Sequence, residues 1–184
     1  IQMSTFEKFK DNPEEFIIKA SNIINEQKAT VIIQHITYNK LDAKYDTRIF
    51  TEPTLKGRLG VNAMEADKHL YDHILYDSKN ECEFATNLDK SEEVAIYVKL
   101  PSGFFITTPV GKYNPDWAIA FYEGKVKHIY FVAETKGSMS SLQLREVEKL
   151  KIRCAQEHFK AISSDTVKYD VVNSYNTLMD KVMK

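Results

Sequence analysis

Cysteine is scarce in this 184-residue chain, occurring only at Cys82 and Cys154. Two thiols are too few for a disulfide framework or a Cys-rich zinc centre, and both fall in helical patterns where buried thiols are common. A reducing compartment fits that usage. No apolar run approaches the roughly 20 residues needed to cross a bilayer. The opening Ile1-Gln2-Met3 has neither the basic nor the apolar region of a signal peptide, so the expectation is a soluble, cytoplasmic chain with no membrane partner. A start on Ile reads as a piece cut from a longer polypeptide. A Gly-x-x-x-x-Gly-Lys-Ser/Thr phosphate loop is also missing, which excludes ATP hydrolysis by that route within this chain. There is no internal repeat and no low-complexity tract.

What is present is ordinary in bulk and uneven in detail. At 43% hydrophobic residues the chain can bury one sizeable core, and a single domain over 1–184 is expected. The formal charge of −1 conceals a gradient. Residues 1–94 hold 12 Lys/Arg against 17 Asp/Glu, whereas residues 95–162 hold 10 against 6. A locally basic segment in a near-neutral chain suits a site that meets phosphates while something else supplies most of the affinity.

The pattern of elements predicts an α+β fold. Asn12 before Pro13-Glu14-Glu15 is a helix start, with a capping side chain, a proline at the first helical position and acids in the first turn. That helix is expected to reach about residue 27. The β-branched run 30–38 reads as a strand, with 45–50 as its partner across a polar turn at 39–44. Residues 51–62, with Pro53, Gly57 and Gly60, read as an irregular connection, and 63–75 as helical. A capping box at Ser78-Lys79-Asn80-Glu81 opens a helix over 78–88. Strands follow at 94–100, 104–108, 116–122 and 126–136, with Pro/Gly turns between them, as an antiparallel meander. Apolar positions 147, 150, 154, 158 and 161 mark one face of a helix over 141–162. A strand at 168–172 and a helix at 174–183 complete the layout.

The chemistry concentrates in the centre. Seventeen residues separate Pro115-Asp116 from Glu134-Thr135-Lys136, and each group borders a short apolar run. Side chains alternate across a strand, so Glu134 and Lys136 share a face. If Asp116 reaches the same face, two carboxylates and the Thr135 carbonyl offer Mg²⁺, or Mn²⁺ in its place, the hard oxygen ligands it prefers. Such an ion would activate water and neutralise a scissile phosphate, with Lys136 orienting the nucleophile or stabilising developing charge. The geometry carries a parity condition. A two-residue turn at Glu123-Gly124 would pair positions summing to 247 and set Asp116 and Glu134 on opposite faces. A shared face requires an even sum, through a longer loop such as 123–125 or a bulge before Asp116.

The wider sequence carries a resemblance. The runs Val98-Lys99-Leu100-Pro101, Phe104-Phe105-Ile106-Thr107-Thr108-Pro109-Val110-Gly111-Lys112-Tyr113-Asn114-Pro115-Asp116-Trp117-Ala118-Ile119 and Tyr130-Phe131-Val132-Ala133-Glu134-Thr135-Lys136-Gly137 resemble the C-terminal endonuclease domain of type III restriction enzyme Res subunits. So do Leu144-Arg145, Glu148, Lys151-Ile152, Cys154-Ala155 and His158-Phe159 downstream, and Tyr76-Asp77-Ser78 with Glu81 and Phe84-Ala85 upstream. The likeness is densest over about 71–160. It implies the PD-(D/E)xK nuclease fold, α/β/α-like, with a mixed sheet flanked by helices, a nuclease core at about 71–172 and an extension at 1–62. By the same resemblance Asp116 and Glu134 are metal ligands and Lys136 the catalytic lysine of a Mg²⁺-dependent endonuclease acting on double-stranded DNA in a prokaryotic cell. A complete subunit would carry an ATP-driven helicase-like motor upstream and work with a Mod methyltransferase subunit. The same core also serves repair and recombination nucleases, and catalytically silent docking or DNA-binding modules.

Secondary candidates surround this set. Glu81 occupies the place of the helix acid that often completes such metal sites, and a capping box uses a Glu at the same offset for structure alone. Arg145 and Lys149 lead a charged stripe on the 141–162 helix that suits DNA contact or simple solvation. Tyr113 and Asn114 precede the site in a loop, placed to touch DNA or merely to fix the turn, and Lys112 is a further candidate for DNA contact. His69 and His73 have i,i+4 spacing without a third ligand. Cys154 and His158 share an apolar face, which favours packing over a nucleophile pair.

Overall fold

Asn12 accepts the Glu15 N–H at 3.1 Å and caps the first helix, α1 (Pro13–Gln34). In this computed structural model the described residues are 7, 9–36, 38, 47–50, 56–126, 130–135, 146–162 and 167–183. The expected strand over 30–38 is instead helical as far as Gln34. Helix cost for a β-branched residue is only about half a kcal/mol, and Ile33 recovers more by burying against Leu150 and Cys154. Of its expected partner, Thr47–Phe50 forms a 3₁₀ turn, and 45–46 lie outside the described residues.

The helix expected over 63–75 is likewise not formed. Ala63–Glu65 (β1) and His73–Leu75 (β2) pair antiparallel. Between them the chain is stitched to the next strand, β3 (Val94–Lys99), by Leu70 N–H to the Tyr97 carbonyl and Tyr97 N–H to the Lys68 carbonyl, each at 3.0 Å. Those non-local bonds outweigh the local helix preference of Ala-Met-Glu-Ala. The next helix, α2 (Lys79–Lys90), forms where the capping box places it, with the Ser78 hydroxyl accepting the Glu81 N–H.

The main sheet has the order β3-β6-β7-β8, with β6 at Trp117–Phe121, β7 at Tyr130–Thr135 and β8 at Val167–Val172. The first three strands are antiparallel and β8 runs parallel to β7. A parallel neighbour needs a long crossover, supplied here by α3 (Glu146–Ile162). The meander is interrupted by a separate hairpin of β4 (Ile106–Thr108) and β5 (Gly111–Tyr113). Its two-residue turn is relieved by Gly111 at φ 106°, a backbone conformation that costs glycine little.

Strand alternation sorts the core onto two faces. Trp117, Ile119 and Phe121 join Phe84, Ala85 and Leu88 of α2, and Leu178 and Val182 of the last helix, α4 (Tyr175–Val182). On the other side Ile106, Tyr113 and Tyr169 pack with Ala155 and Phe159 of α3. The domain is therefore a mixed helix and sheet structure with helices on both faces. No described helix is long and apolar enough to cross a membrane.

Candidate active site

Asp116 sits in the bend that leads into β6, and its Oδ2 accepts two hydrogen bonds from Thr135. The main-chain N–H donates at 2.7 Å and the hydroxyl at 2.8 Å. Thr135 is buried, and its Oγ1 also accepts the Trp117 indole N–H at 3.2 Å. An aspartate taking up a strand's terminal N–H makes a charge-assisted bond, about twice as strong as a neutral one.

The β6–β7 register pairs Trp117 with Ala133 and Ile119 with Phe131, so paired positions sum to an even number. That meets the parity condition over the paired residues, and the register ends at Trp117 and Ala133, one residue short of Asp116 and Glu134. β6 ends at Phe121 and β7 begins at Tyr130, and Gly124 between them takes φ 82°. The bulge lies elsewhere, between β3 and β6 at Val94/Ile96. Glu134 contributes its main chain to β7, paired with Val171, but its side chain is outside the description, as are Lys136 and Arg145. Among the described residues no group of three or more His, Cys, Asp and Glu is arranged to hold a metal ion.

Glu81 is already engaged. Its Oε2 accepts the Asp77 N–H at 2.9 Å and the Lys99 ammonium at 2.7 Å, while Lys99 also reaches Asp77 Oδ2 at 2.6 Å. Burial presses the Lys99 ammonium toward neutrality, but the bonds and charges of Asp77 and Glu81 outweigh it and hold its pKa above the ordinary lysine value. Lys99 pairs with Trp117 across the sheet, and the following Leu100 donates its N–H to the Asp116 carbonyl at 2.8 Å. Lys99 lies in one of the runs that carry the resemblance, but nothing local marked its ion pairs, because its acidic partners lie 18 and 22 residues away.

A cleft of about 270 Å³ opens beside this cluster, lined among others by Phe50, His69, Tyr71, Asp77, Lys99 and Ser102. His69 and His73 do not sit on one helix, so their spacing has no ligand geometry. His69 Nε2 accepts the Lys99 N–H at 3.2 Å, and burial pulls its pKa below the usual histidine value.

The remaining candidates separate by exposure. Lys112 is exposed, with its ammonium 3.8 Å from the centre of the Phe105 ring. Lys149 is half-buried on α3. Tyr113, expected in a loop, is a buried β5 residue whose hydroxyl meets that of Tyr169 at 2.5 Å. Its ring has no surface left for DNA. Cys154 and His158 pack as their apolar face predicts, with His158 set edge-on to Tyr38 and Phe159.

Comparison with known proteins identifies the family. Residues 67–175 match the model of a family described as an endonuclease domain. Over 100 residues the chain is 33% identical to the type III restriction-modification enzyme EcoPI Res subunit of Escherichia phage P1, covering 53% of this chain and 10% of that protein. The EcoP15I Res subunit of Escherichia coli matches to the same extent. The chain thus spans about a tenth of the length of the curated relatives it matches. No solved structure matches it. Holding the family model over more than half its length, the chain belongs to the endonuclease-domain family, of the type found in Res subunits of type III restriction enzymes.

Proposed function

We propose that this domain is a divalent-metal-dependent endonuclease that hydrolyses phosphodiester bonds of double-stranded DNA, built on a PD-(D/E)xK core. The observation that carries the reading is the tie of Asp116 to Thr135 across two strands in even register. It brings the main chain of the Glu-Thr-Lys triplet against the aspartate that the resemblance assigns as its partner. The donor set is two carboxylates and a carbonyl oxygen, all hard ligands, and this chemistry fits Mg²⁺.

Asp116, Glu134 and the Thr135 carbonyl would hold the ion. When bound, the ion supplies charge neutralisation and a more acidic water. The protein's own part is positional. Thr135 fixes the rotamer of Asp116, the even β6–β7 register supports a shared face for residues 116 and 134, and Lys136 stabilises the charge that develops on the phosphate. Lys112, Arg145 and Lys149 belong to the basic central segment and would meet the DNA backbone. In the full-length protein, an ATP-driven helicase-like motor and a Mod methyltransferase subunit would deliver the DNA in the cytoplasm of a prokaryotic cell.

A plasmid-nicking assay in Mg²⁺ tests this reading. The native chain is expected to convert supercoiled DNA to nicked and linear forms, and Asp116→Ala and Lys136→Ala each to lose at least a hundredfold in rate. Equal cutting by all three proteins would remove both residues from the mechanism.

A further inference from the structure

Residues 99 and 100, at the end of β3, are held from three directions. The Lys99 ammonium bridges Asp77 at 2.6 Å and Glu81 at 2.7 Å, both at the start of α2. The Lys99 N–H donates to His69 Nε2 at 3.2 Å. The Leu100 N–H donates to the carbonyl of Asp116 at 2.8 Å. Asp116 is thereby fixed twice, by its main chain from β3 and by its carboxylate from Thr135.

The side chains of Lys99 and Glu81 are only 22% and 15% exposed, so this ion pair is shielded from solvent more than an ordinary surface pair. A carboxylate so enclosed is costly to leave without its cation. Glu81 Oε2 also accepts the Asp77 N–H, so the same oxygen serves the helix cap and the lysine together. An acid occupied in this way is an anchor for a neighbouring strand, and a divalent ion could reach that oxygen only by displacing Lys99.

We propose that Lys99 is a positioning residue of the active site, and that Glu81 acts through it, as the anchor that sets the end of β3 against Asp116, rather than as a metal ligand. The proposal rests on the nuclease reading for its effect on cutting, but the anchor itself can be measured without any cutting. Misplacing a reacting group by about 1 Å costs on the order of a hundredfold in rate, so a loosened Asp116 should slow the chemical step, and whatever metal affinity it costs should be the same whether Lys99 or Glu81 is changed.

The experiment uses the 184-residue chain and three readouts. Amide hydrogen exchange at Leu100 is measured relative to Ile119 in the middle of β6, which cancels any change in global stability. Mn²⁺ binding is measured by calorimetry. The Mg²⁺-dependent nicking rate is measured at saturating metal. Lys99→Met and Glu81→Gln are each expected to speed relative exchange at Leu100 at least tenfold, to slow nicking at least tenfold, and to have Mn²⁺ affinities within threefold of one another. The double variant should lose no more than either single one, and Lys99→Arg should recover most of the rate. Lys79→Met, which removes an exposed ion pair to Glu83 on the same helix, is the control and should change nothing. A tenfold weaker Mn²⁺ affinity in Glu81→Gln alone would make Glu81 a ligand and overturn the proposal. Unchanged relative exchange at Leu100 in Lys99→Met would overturn it equally. A native chain that neither cuts nor binds Mn²⁺ would defeat the nuclease reading instead, with the Leu100 measurement still deciding whether the anchor exists.

Discussion

The Asp116 carboxylate and Thr135 are joined by two hydrogen bonds to a single oxygen, from the N–H at 2.7 Å and the hydroxyl at 2.8 Å. The same hydroxyl oxygen receives the Trp117 indole N–H, so one buried threonine side chain couples the aspartate to the largest core residue.

Replacing that hydroxyl therefore tests the site and the core together. Thr135→Val keeps the shape but leaves the Trp117 N–H and one acceptor position of Asp116 unpaired. The expected loss is about 1–3 kcal/mol in denaturant unfolding, with a matching fall in nicking rate. Thr135→Ser retains the hydroxyl and should recover most of both. A valine variant as stable and as active as the native chain would show that the hydroxyl has no such role.

Trp117 stands where the α2 face of the sheet meets the site, with its ring 5.5 Å from that of Phe84 and 6.2 Å from that of Tyr97. Trp117→Ala opens a cavity there and should cost about 3–5 kcal/mol, read as a lower midpoint in a urea titration with the slope unchanged. A loss below about 1 kcal/mol would mean that the neighbours collapse into the space.

Acid should destabilise the fold through two histidines. Burial lowers the pKa of both His69 and His158, and His158 Nδ1 has no hydrogen-bond partner among the described residues. A base whose folded pKa is depressed binds fewer protons in the native than in the unfolded state. Its full stabilising contribution is present above the unfolded value of about 6.5 and is lost as pH falls through the lower folded value. Unfolding free energy should hence decline from about pH 6.5 downward. His158→Phe, which keeps the ring contacts with Tyr38 and Phe159, should flatten part of that decline. The same slope in the variant would exclude His158 as a source.

DNA contact should divide the basic residues from Tyr113. Lys112→Ala and Arg145→Ala are each expected to weaken DNA binding and to reduce the slope of log affinity against log salt by about 1. Tyr113→Phe removes a buried hydroxyl pair with Tyr169 and should cost about 1 kcal/mol of stability while leaving affinity and salt slope unchanged. A changed salt slope in Tyr113→Phe would place its hydroxyl at the DNA surface after all.

Where local rules are strong, sequence and structure agree. Asn12 and Ser78 cap their helices because a short polar side chain before a helical run has one energetically favoured use. The apolar spacing of α3 and the alternating apolar residues of β3 and β6 likewise have a single way to bury their faces. The differences fall where two local states are nearly equal in energy. Residues 30–34 and 63–75 each exchanged helix for strand or strand for helix, decided by Ile33 packing on α3 and by the main-chain bonds between residues 68–70 and Tyr97. Tyr113 moved from a loop to the core through contacts with Tyr169, 56 residues away.

The site divides in the same manner. By itself the sequence singled out the candidate residues, Asp116 with the Glu134-Thr135-Lys136 triplet, because hard ligands beside apolar strands are a pattern of residue type and spacing. Only the tertiary structure decided the even register of β6 and β7, the bond from Thr135 to Asp116, and the hold of Lys99 on Glu81. Register depends on the length and path of a connection, and an ion pair between residues 18 positions apart depends on how a helix packs on a sheet. Both are settled by long-range packing energies that no short window of sequence contains.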